Sequence, residues 1–343
     1  MPENGFWWSS RHYVQAMEFR RFLALAAAAA LLTGCAASPP SRPDSPEAVP
    51  ATPATERVEA PQPVFAGECS TLLDAAAAGV VVGEPVTLTP LSNTLSITYS
   101  AIPQLGGIEC VWETAEAGGP VLGVVVVPDA VLDAAAADSP CVDVGYCAIT
   151  DVSSGFRLYG FVYSEGGDGS TRTAGLEVLR SAFRSAVAQQ TPAAPYSPEG
   201  AWTSSIDCAT LDESGAFGGA LGDPSVVGEP IALNNPDPNR GVADVLSAAP
   251  EVTCSWSSPE EDTTIVVQTL GGGAWVEEAL AAVPGTTRVE IAGVDAALLS
   301  EGQLSVFIGV NRLTVEVRSS AGGPAIDSLF APVGEIARRL AAG

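Results

Sequence analysis

Lysine is absent from this sequence. All fifteen basic residues are arginine, against forty acids, which leaves a formal charge of −25. Histidine occurs once, at His12, and methionine twice, at Met1 and Met17. Each shortage excludes chemistry. Without lysine there is no Schiff base, no pyridoxal attachment, no Ser-Lys dyad and no phosphate-cradling Walker lysine. Too few cations oppose the acids for the chain to release counterions from nucleic acid or to settle on anionic lipid headgroups. No apolar run reaches the roughly twenty residues that span a bilayer. The plain consequence of the acidity is solubility, and its sharper consequence is attraction for basic partners.

What is present begins with a short apolar run, Phe22 to Thr33, preceded by Arg20 and Arg21 and followed by no positive cluster. That is the length and flanking of a signal-peptide core. Initiation at Met17 gives a compact signal peptide, and residues 1–16 are then expected to be disordered or absent. The run ends in Leu32-Thr33-Gly34-Cys35. Small residues suit a peptidase groove, and the cysteine supplies a nucleophilic sulfur just past it. The segment resembles the lipobox of bacterial lipoproteins. The resemblance implies removal of residues 1–34, diacylation of Cys35, and a diacylglycerol anchor on the outer face of the cell membrane. Two chains, at about 0.8 kcal/mol per buried methylene, hold a protein there stably. Removal of residues 1–34 would also remove His12 and both methionines. The Ser-His-Asp and Cys-His arrangements are then excluded.

Residues 35–66 carry eight prolines and no apolar periodicity, the composition of a disordered, extended tether. Two globular stretches follow, 67–190 and 202–343, joined by a linker at 191–201. They read as two copies of one unit. Each holds a cysteine near its start (Cys69; Cys208), the pentapeptide VVGEP (81–85; 226–230) and a Cys-x-Trp (Cys110, Trp112; Cys254, Trp256). The spacing from the Val before the Gly to the next Cys is 28 residues in one copy and 27 in the other. Each copy continues with an alternating apolar run (Val121–Val127; Thr263–Leu270) and an Ala-rich helical stretch (Ala130–Ala137; Ala274–Val283). Two strand-like runs follow (Val142–Thr150 with Phe156–Tyr163; Gln303–Val310 with Leu313–Arg318), joined by "DVSSG" and "VN" hairpin signals. An amphipathic helix closes each copy, through Leu176, Leu179, Phe183 and Val187 or through Ile326, Leu329, Phe330, Val333, Ile336 and Leu340. The expectation is α+β: two tandem antiparallel sheets flanked by helices.

Setting Cys35 aside leaves six cysteines for an exported chain to pair. The duplication points to Cys69–Cys110 and Cys208–Cys254, leaving Cys141 and Cys147 as a local clip in "CVDVGYC". The second copy has "VEIAGVDAA" there, with Asp295 expected where Cys147 sits. Structural staples fit better than zinc or redox chemistry, since no Cys-x-x-Cys spacing occurs. The glycine-rich "GAFGGALG" at 215–222 lacks the dinucleotide pattern and reads as tight packing. Asn235, Asp237 and Asn239 stand at alternate positions, but Arg240 and Leu246 occupy the places where a calcium loop needs Gly and Glu. "EGGDGS" at 165–170 is weaker still. Trp112 and Trp256 share a strand face with their cysteines and are expected in the cores. No cofactor and no metal are called for.

Lipobox, Pro-rich tether, Cys–helix, Cys-x-Trp, late hairpin and closing helix together resemble the secreted lipoproteins of actinobacteria that carry small disulfide-bonded α+β domains. The likeness rests on Cys35, the pairs Cys69/Cys110 and Cys208/Cys254, Trp112, Trp256 and "AGVDAA" at 292–297. It implies envelope localisation and a sandwich-like α+β fold, with no agreed activity. The leading expectation is a non-enzymatic binding or interaction module for an envelope protein or small ligand, with no nucleic acid bound. The alternatives are a cell-wall glycan hydrolase using two carboxylates, and a structural spacer.

Overall fold

The computed structural model describes residues 58–89, 98–116, 119–132, 139–142, 146–163, 169–202, 206–231, 240–258, 262–300, 302–319 and 323–342. Val58–Gly343 form one compact unit. The signal peptide, Cys35 and the tether up to Arg57 lie outside the described residues. The folded unit starts earlier than the sequence suggests. Val64 and Phe65, the apolar pair ending the Pro-rich stretch, are 7% and 5% exposed and join the first core. Burying a valine and a phenylalanine offsets the cost of ordering the segment around them.

The first copy is a six-stranded antiparallel sheet in the order β1-β2-β3-β6-β5-β4. Its strands are β1 (Thr87–Leu88), β2 (Ile108–Glu113), β3 (Val121–Pro128), β4 (Ser139–Val142), β5 (Tyr146–Ser153) and β6 (Phe156–Tyr163). Its helices are α1 (Ala75–Val82), α2 (Thr98–Gln104) and α3 (Gly169–Val187). The second copy repeats the path in a seven-stranded sheet, β10-β11-β12-β13-β9-β8-β7. Here β7 is Glu229–Pro230, β8 Glu251–Ser258, β9 Thr263–Leu270, β10 Thr287–Arg288, β11 Ala296–Ser300, β12 Gln303–Ile308 and β13 Asn311–Ser319. Helices α4 (Cys208–Leu211), α5 (Ala216–Ala220), α6 (Arg240–Ala248), α7 (Glu277–Ala281) and α8 (Phe330–Ala342) accompany it. The chain is α+β, with two antiparallel sheets flanked by helices.

Period-two alternation decides which side of each sheet takes the helices. In β2, Ile108, Cys110 and Trp112 enter the first core, with Leu122, Val124 and Val126 of β3 and Leu176, Leu179 and Phe183 of α3. In β8, Cys254 and Trp256 do the same, with Ile265 and Val267 of β9 and Val333 and Ile336 of α8. The ring of Trp256 meets Phe217 of α5 edge-on at 4.9 Å. Local signals set the ends. Asp74 accepts the Ala77 N–H at the start of α1, and Gly83, at φ +89, closes that helix. Ser154 and Gly155, both at positive φ, turn β5 into β6.

Two expectations need correction, and a third falls mostly outside the described residues. The run Val142–Thr150 is two strands, β4 and β5, which pair antiparallel, so the chain reverses between them. Of the Ala-rich stretch 130–137, one short 3-10 turn at Asp129–Val131 is described, and residues 133–138 lie outside. VVGEP does not occupy equivalent places in the two copies. In the first, Val81 and Val82 finish α1, and Gly83 has open space around it. In the second, Glu229 and Pro230 form edge strand β7, and a Cβ on Gly228 would stand 2.4 Å from the Trp256 ring.

The linker 191–201 is a packed strap. The Tyr196 N–H donates to the Gln104 carbonyl at 2.6 Å, and the Tyr196 hydroxyl donates to the Glu59 carbonyl. The Asn311 side chain, 4% exposed, fastens the end of the strap. Its Oδ1 accepts the N–H groups of Trp202 at 2.8 Å and Gly272 at 3.0 Å, and its Nδ2 donates to the Gly200 carbonyl at 2.9 Å. Asn311→Ala strands those three backbone groups and is expected to cost about 2 kcal/mol. Limited proteolysis should then cut within 191–202 several-fold faster, and an unchanged cutting rate would refute the strap.

Candidate functional site

Both sheets leave the side opposite their disulfide for a second layer, and there the copies meet. Ala101, Ile102 and Leu105 at the end of α2 join Val245, Leu246 and Ala249 at the end of α6 in one buried cluster. Each residue of the first trio stands 144 positions before its counterpart, the same offset that separates Cys110 from Cys254 and Trp112 from Trp256. Val125, Val127 and Tyr159 from the first sheet and Leu270 from the second complete the cluster. The two copies therefore meet through equivalent surfaces, as the subunits of a two-fold dimer do.

Polar groups border this seam, and arginine recurs in both copies. Arg157 of β6 is opposite Val127, and Arg312 of β13 is opposite the equivalent Leu270. The two arginines are 8% and 0% exposed. Arg157 pairs with Asp129, its Nε donating at 2.7 Å, and its Nη1 donates to the Tyr159 hydroxyl at 3.4 Å. Burial works against the guanidinium's charge, and the bonds to Tyr159 and Asp129 more than reverse it, so its pKa is raised. By register, the counterpart of Asp129 is Gly272, at φ +75. A Cβ there would come 2.9 Å from Pro198 Cδ and 3.6 Å from Gln104 Nε2.

Arg312 finds its charge partner elsewhere. Its Nη2 donates to Ser305 Oγ at 3.1 Å, and Glu251 is the acid whose field acts on it. Burial pulls the Arg312 pKa down, and Glu251 partly restores it. Glu251 Oε1 accepts Thr253 Oγ1 at 3.1 Å and Gln268 Nε2 at 3.2 Å. Burial raises the Glu251 pKa more strongly than these two bonds and Arg312 lower it. By register, the position of Glu251 in the first copy is Gly107, where a Cβ would strike Val127 at 2.5 Å. The acid near the buried arginine therefore comes from a different place in each copy: Asp129 from the turn after β3, Glu251 from β8.

Glu109 of β2 lies one cross-strand row from this layer, opposite Val125. Burial alone lifts its pKa from 4.5 to about 7. Its Oε2, the Glu251 Oε2, the Thr314 Oγ1 and both amide atoms of Gln104 are sealed from solvent without a hydrogen-bond partner. Gln104, on α2, is completely buried. Two half-buried acids, each with one oxygen sealed from solvent, thus border the layer between the copies.

Cys69, Cys110, Cys147, Cys208 and Cys254 stand in the cores and away from the seam. Cys69–Cys110 and Cys208–Cys254 are disulfides with Cα–Cα distances of 5.7 and 5.5 Å. Cys147 is disulfide-bonded and fully buried. The side chain of Cys141, its expected partner, lies outside the described residues, as do Cys35, Asn235, Asp237 and Asn239. Trp112 and Trp256 are each 1% exposed. Asp295 does not take the place of Cys147. Cys147 pairs with Val162, whose counterpart is Val317, and that register puts Gly302 at the position. Asp295 instead precedes β11 and accepts the Gly309 N–H at 2.6 Å, stapling the β12–β13 turn.

Sequence reading did not single out Glu109, Glu251, Gln104, Arg157 or Arg312. One available signal was the recurrence of arginine at the second residue of the last strand in each copy. Among the described residues, no group of three or more His, Cys, Asp or Glu could hold a metal ion. None of the described helices is long and apolar enough to cross a membrane. Among the described residues, an open surface groove of about 570 Å³ runs along α1. Comparisons with protein-family models, with curated proteins and with solved structures find no match.

Proposed function

We propose that the chain is an extracytoplasmic lipoprotein, held on the outer face of the cell membrane by a diacylglycerol anchor on Cys35. Its paired copies act there as a non-enzymatic binding or interaction module for an envelope protein or small ligand. The observation that carries the reading is the disulfide in each copy, Cys69–Cys110 and Cys208–Cys254. Such bonds persist in oxidising compartments, which agrees with export directed by the segment ending Leu32-Thr33-Gly34-Cys35. Kinship with the secreted lipoproteins of actinobacteria belongs to the same proposal.

Burial also weighs against the glycan hydrolase. A carboxyl near 7 suits a general acid, and Glu109 has that value. Oε2 of both Glu109 and Glu251 is nonetheless sealed from solvent, and Glu251 Oε1 is held by Thr253 and Gln268, which weighs against either as the acid. Incubating the full chain with purified peptidoglycan is the test, and no soluble fragments should be released. Release that disappears in Glu109→Gln or Glu251→Gln would establish the hydrolase instead.

A further inference from the structure

Helix α1 is AAAAGVVV, apolar on every side. A helix that only covers a core needs one apolar stripe, and its solvent side is ordinarily polar. Ala78 and Val81 supply that stripe, at 0% and 1% exposure. The opposite side faces solvent, and Val80, at 64%, is the most exposed large apolar side chain among the described residues. The chain past Gly83 folds back along the helix. A Cβ on Gly79 would stand 3.0 Å from the Glu84 carbonyl oxygen, so the glycine lets this wall approach. The result is the 570 Å³ groove, lined by Ala75, Ala76, Gly79, Val80, Glu84 and Pro85. In the second copy Gly218 meets the Asp223 carbonyl oxygen in the same way, at 2.7 Å, but on a helix of only five residues, Ala216–Ala220.

Charge selects the occupant. Glu84 is the only charged residue lining the groove, and Asp74 caps the helix beside Ala75. Neither acid is in an ion pair among the described residues. A second copy of the chain would bring like charge to these acids. An anionic membrane surface would meet a chain of charge −25. An apolar segment with basic ends fits both the groove and its acids. We propose that the α1 groove docks a partner protein through an apolar segment flanked by arginine or lysine. This rests on the reading of the chain as an envelope interaction module and names the surface it uses.

The test places the photo-crosslinker p-benzoylphenylalanine at Val80 of the full chain in the cells that produce it. A control carries it at Val152, which is 51% exposed on β5. After irradiation of membrane fractions, the attached peptide is sequenced by mass spectrometry. The expected product is a peptide of another protein, apolar with flanking Arg or Lys, formed from Val80 and not from Val152. Glu84→Lys should lower its yield about threefold or more, since one exposed attraction is replaced by a repulsion. Attachment to a second copy or to lipid, or no adduct from membrane-held protein, overturns the docking proposal. Absence of the chain from the membrane fraction overturns the anchor reading instead.

Discussion

Replacing Cys208 and Cys254 together with alanine is expected to lower the unfolding free energy by about 4 kcal/mol. The bond closes a loop with a sequence separation of 46, so its loss frees a large part of the unfolded chain. Both sulfurs are buried, at 3% and 0% exposure, and Cys254 shares its strand face with Trp256. The double replacement avoids leaving an unpaired thiol, so the effect reports the cross-link together with two small lost contacts. About 4 kcal/mol is a large fraction of the roughly 5–15 kcal/mol that typically separates folded from unfolded chains. In a thermal melt the midpoint should fall by roughly 10 °C. Reducing the wild-type protein should lower the midpoint at least as far, since it opens Cys69–Cys110 as well. An unchanged midpoint in the double variant would remove the disulfide from the list of what holds the second copy together.

The second large effect concerns pH and runs against the usual direction. Glu109 has a folded pKa of about 7 against an ordinary value of 4.5, through burial alone. Below 4.5 both states hold the proton and the group is neutral to stability. Between 4.5 and about 7 the unfolded chain releases it while the folded chain keeps it, so stability falls as pH rises. Above that range the full cost is present, about 3 kcal/mol from the shift. Glu251 is raised in the same direction. Ordinary paired carboxylates lose stability toward acid, whereas this chain should become more stable from about pH 7.5 down to about pH 5. Glu109→Gln keeps the shape and removes the ionisation. It should stabilise the protein at about pH 8 by up to about 3 kcal/mol and change little at about pH 4.5. Glu251→Gln should help less, because it deprives Arg312 of its compensating acid. Urea denaturation at several pH values measures both. A Glu109→Gln variant no more stable than wild type in mild alkali would mean that the carboxyl reaches water.

Much of the fold was legible because its physics is local. The apolar runs "VLGVVVV" and "TTIVVQTL" gave strands, and the i, i+3, i+4 rows of the closing helices gave α3 and α8. Cys-x-Trp revealed the duplication because a cysteine and an indole two residues apart share a face and a core. VVGEP misled about position, since the same five residues end a helix in one copy and enter an edge strand in the other. The helix-ending copy packs Gly79 on the Glu84 carbonyl, and the strand-entering copy packs Gly228 on Trp256. What separates the two outcomes is the tertiary neighbourhood, which the pentapeptide itself does not carry.

The seam was hidden for a related reason. Glu109 alternates with Ile108 and Cys110 as a solvent-facing residue should, and only the second layer buries it. The trio "AI..L" at 101–105 and its partner "VL..A" at 245–249 share the offset of the cysteines, so the pattern was present in the sequence. Without the knowledge that both sheet faces are covered, it could not be read as a contact. The exchange of Asp129 for Gly272, with Glu251 in place of Gly107, shows how far two copies can diverge while each keeps an acid near its buried arginine.

Cys35 is where the functional reading meets its most direct measurement. Cells producing the full chain, wild type or Cys35→Ser, are fractionated, and the N-terminal peptide of the extracted protein is weighed by mass spectrometry. For the wild type, the expected result is a chain in the membrane fraction that begins at Cys35 and carries a diacylglycerol mass. For Cys35→Ser, membrane retention and the added mass should both be lost. A Cys35→Ser chain that stays with the membrane, from a wild type that shows no lipid mass, would contradict the anchor and the envelope role built on it.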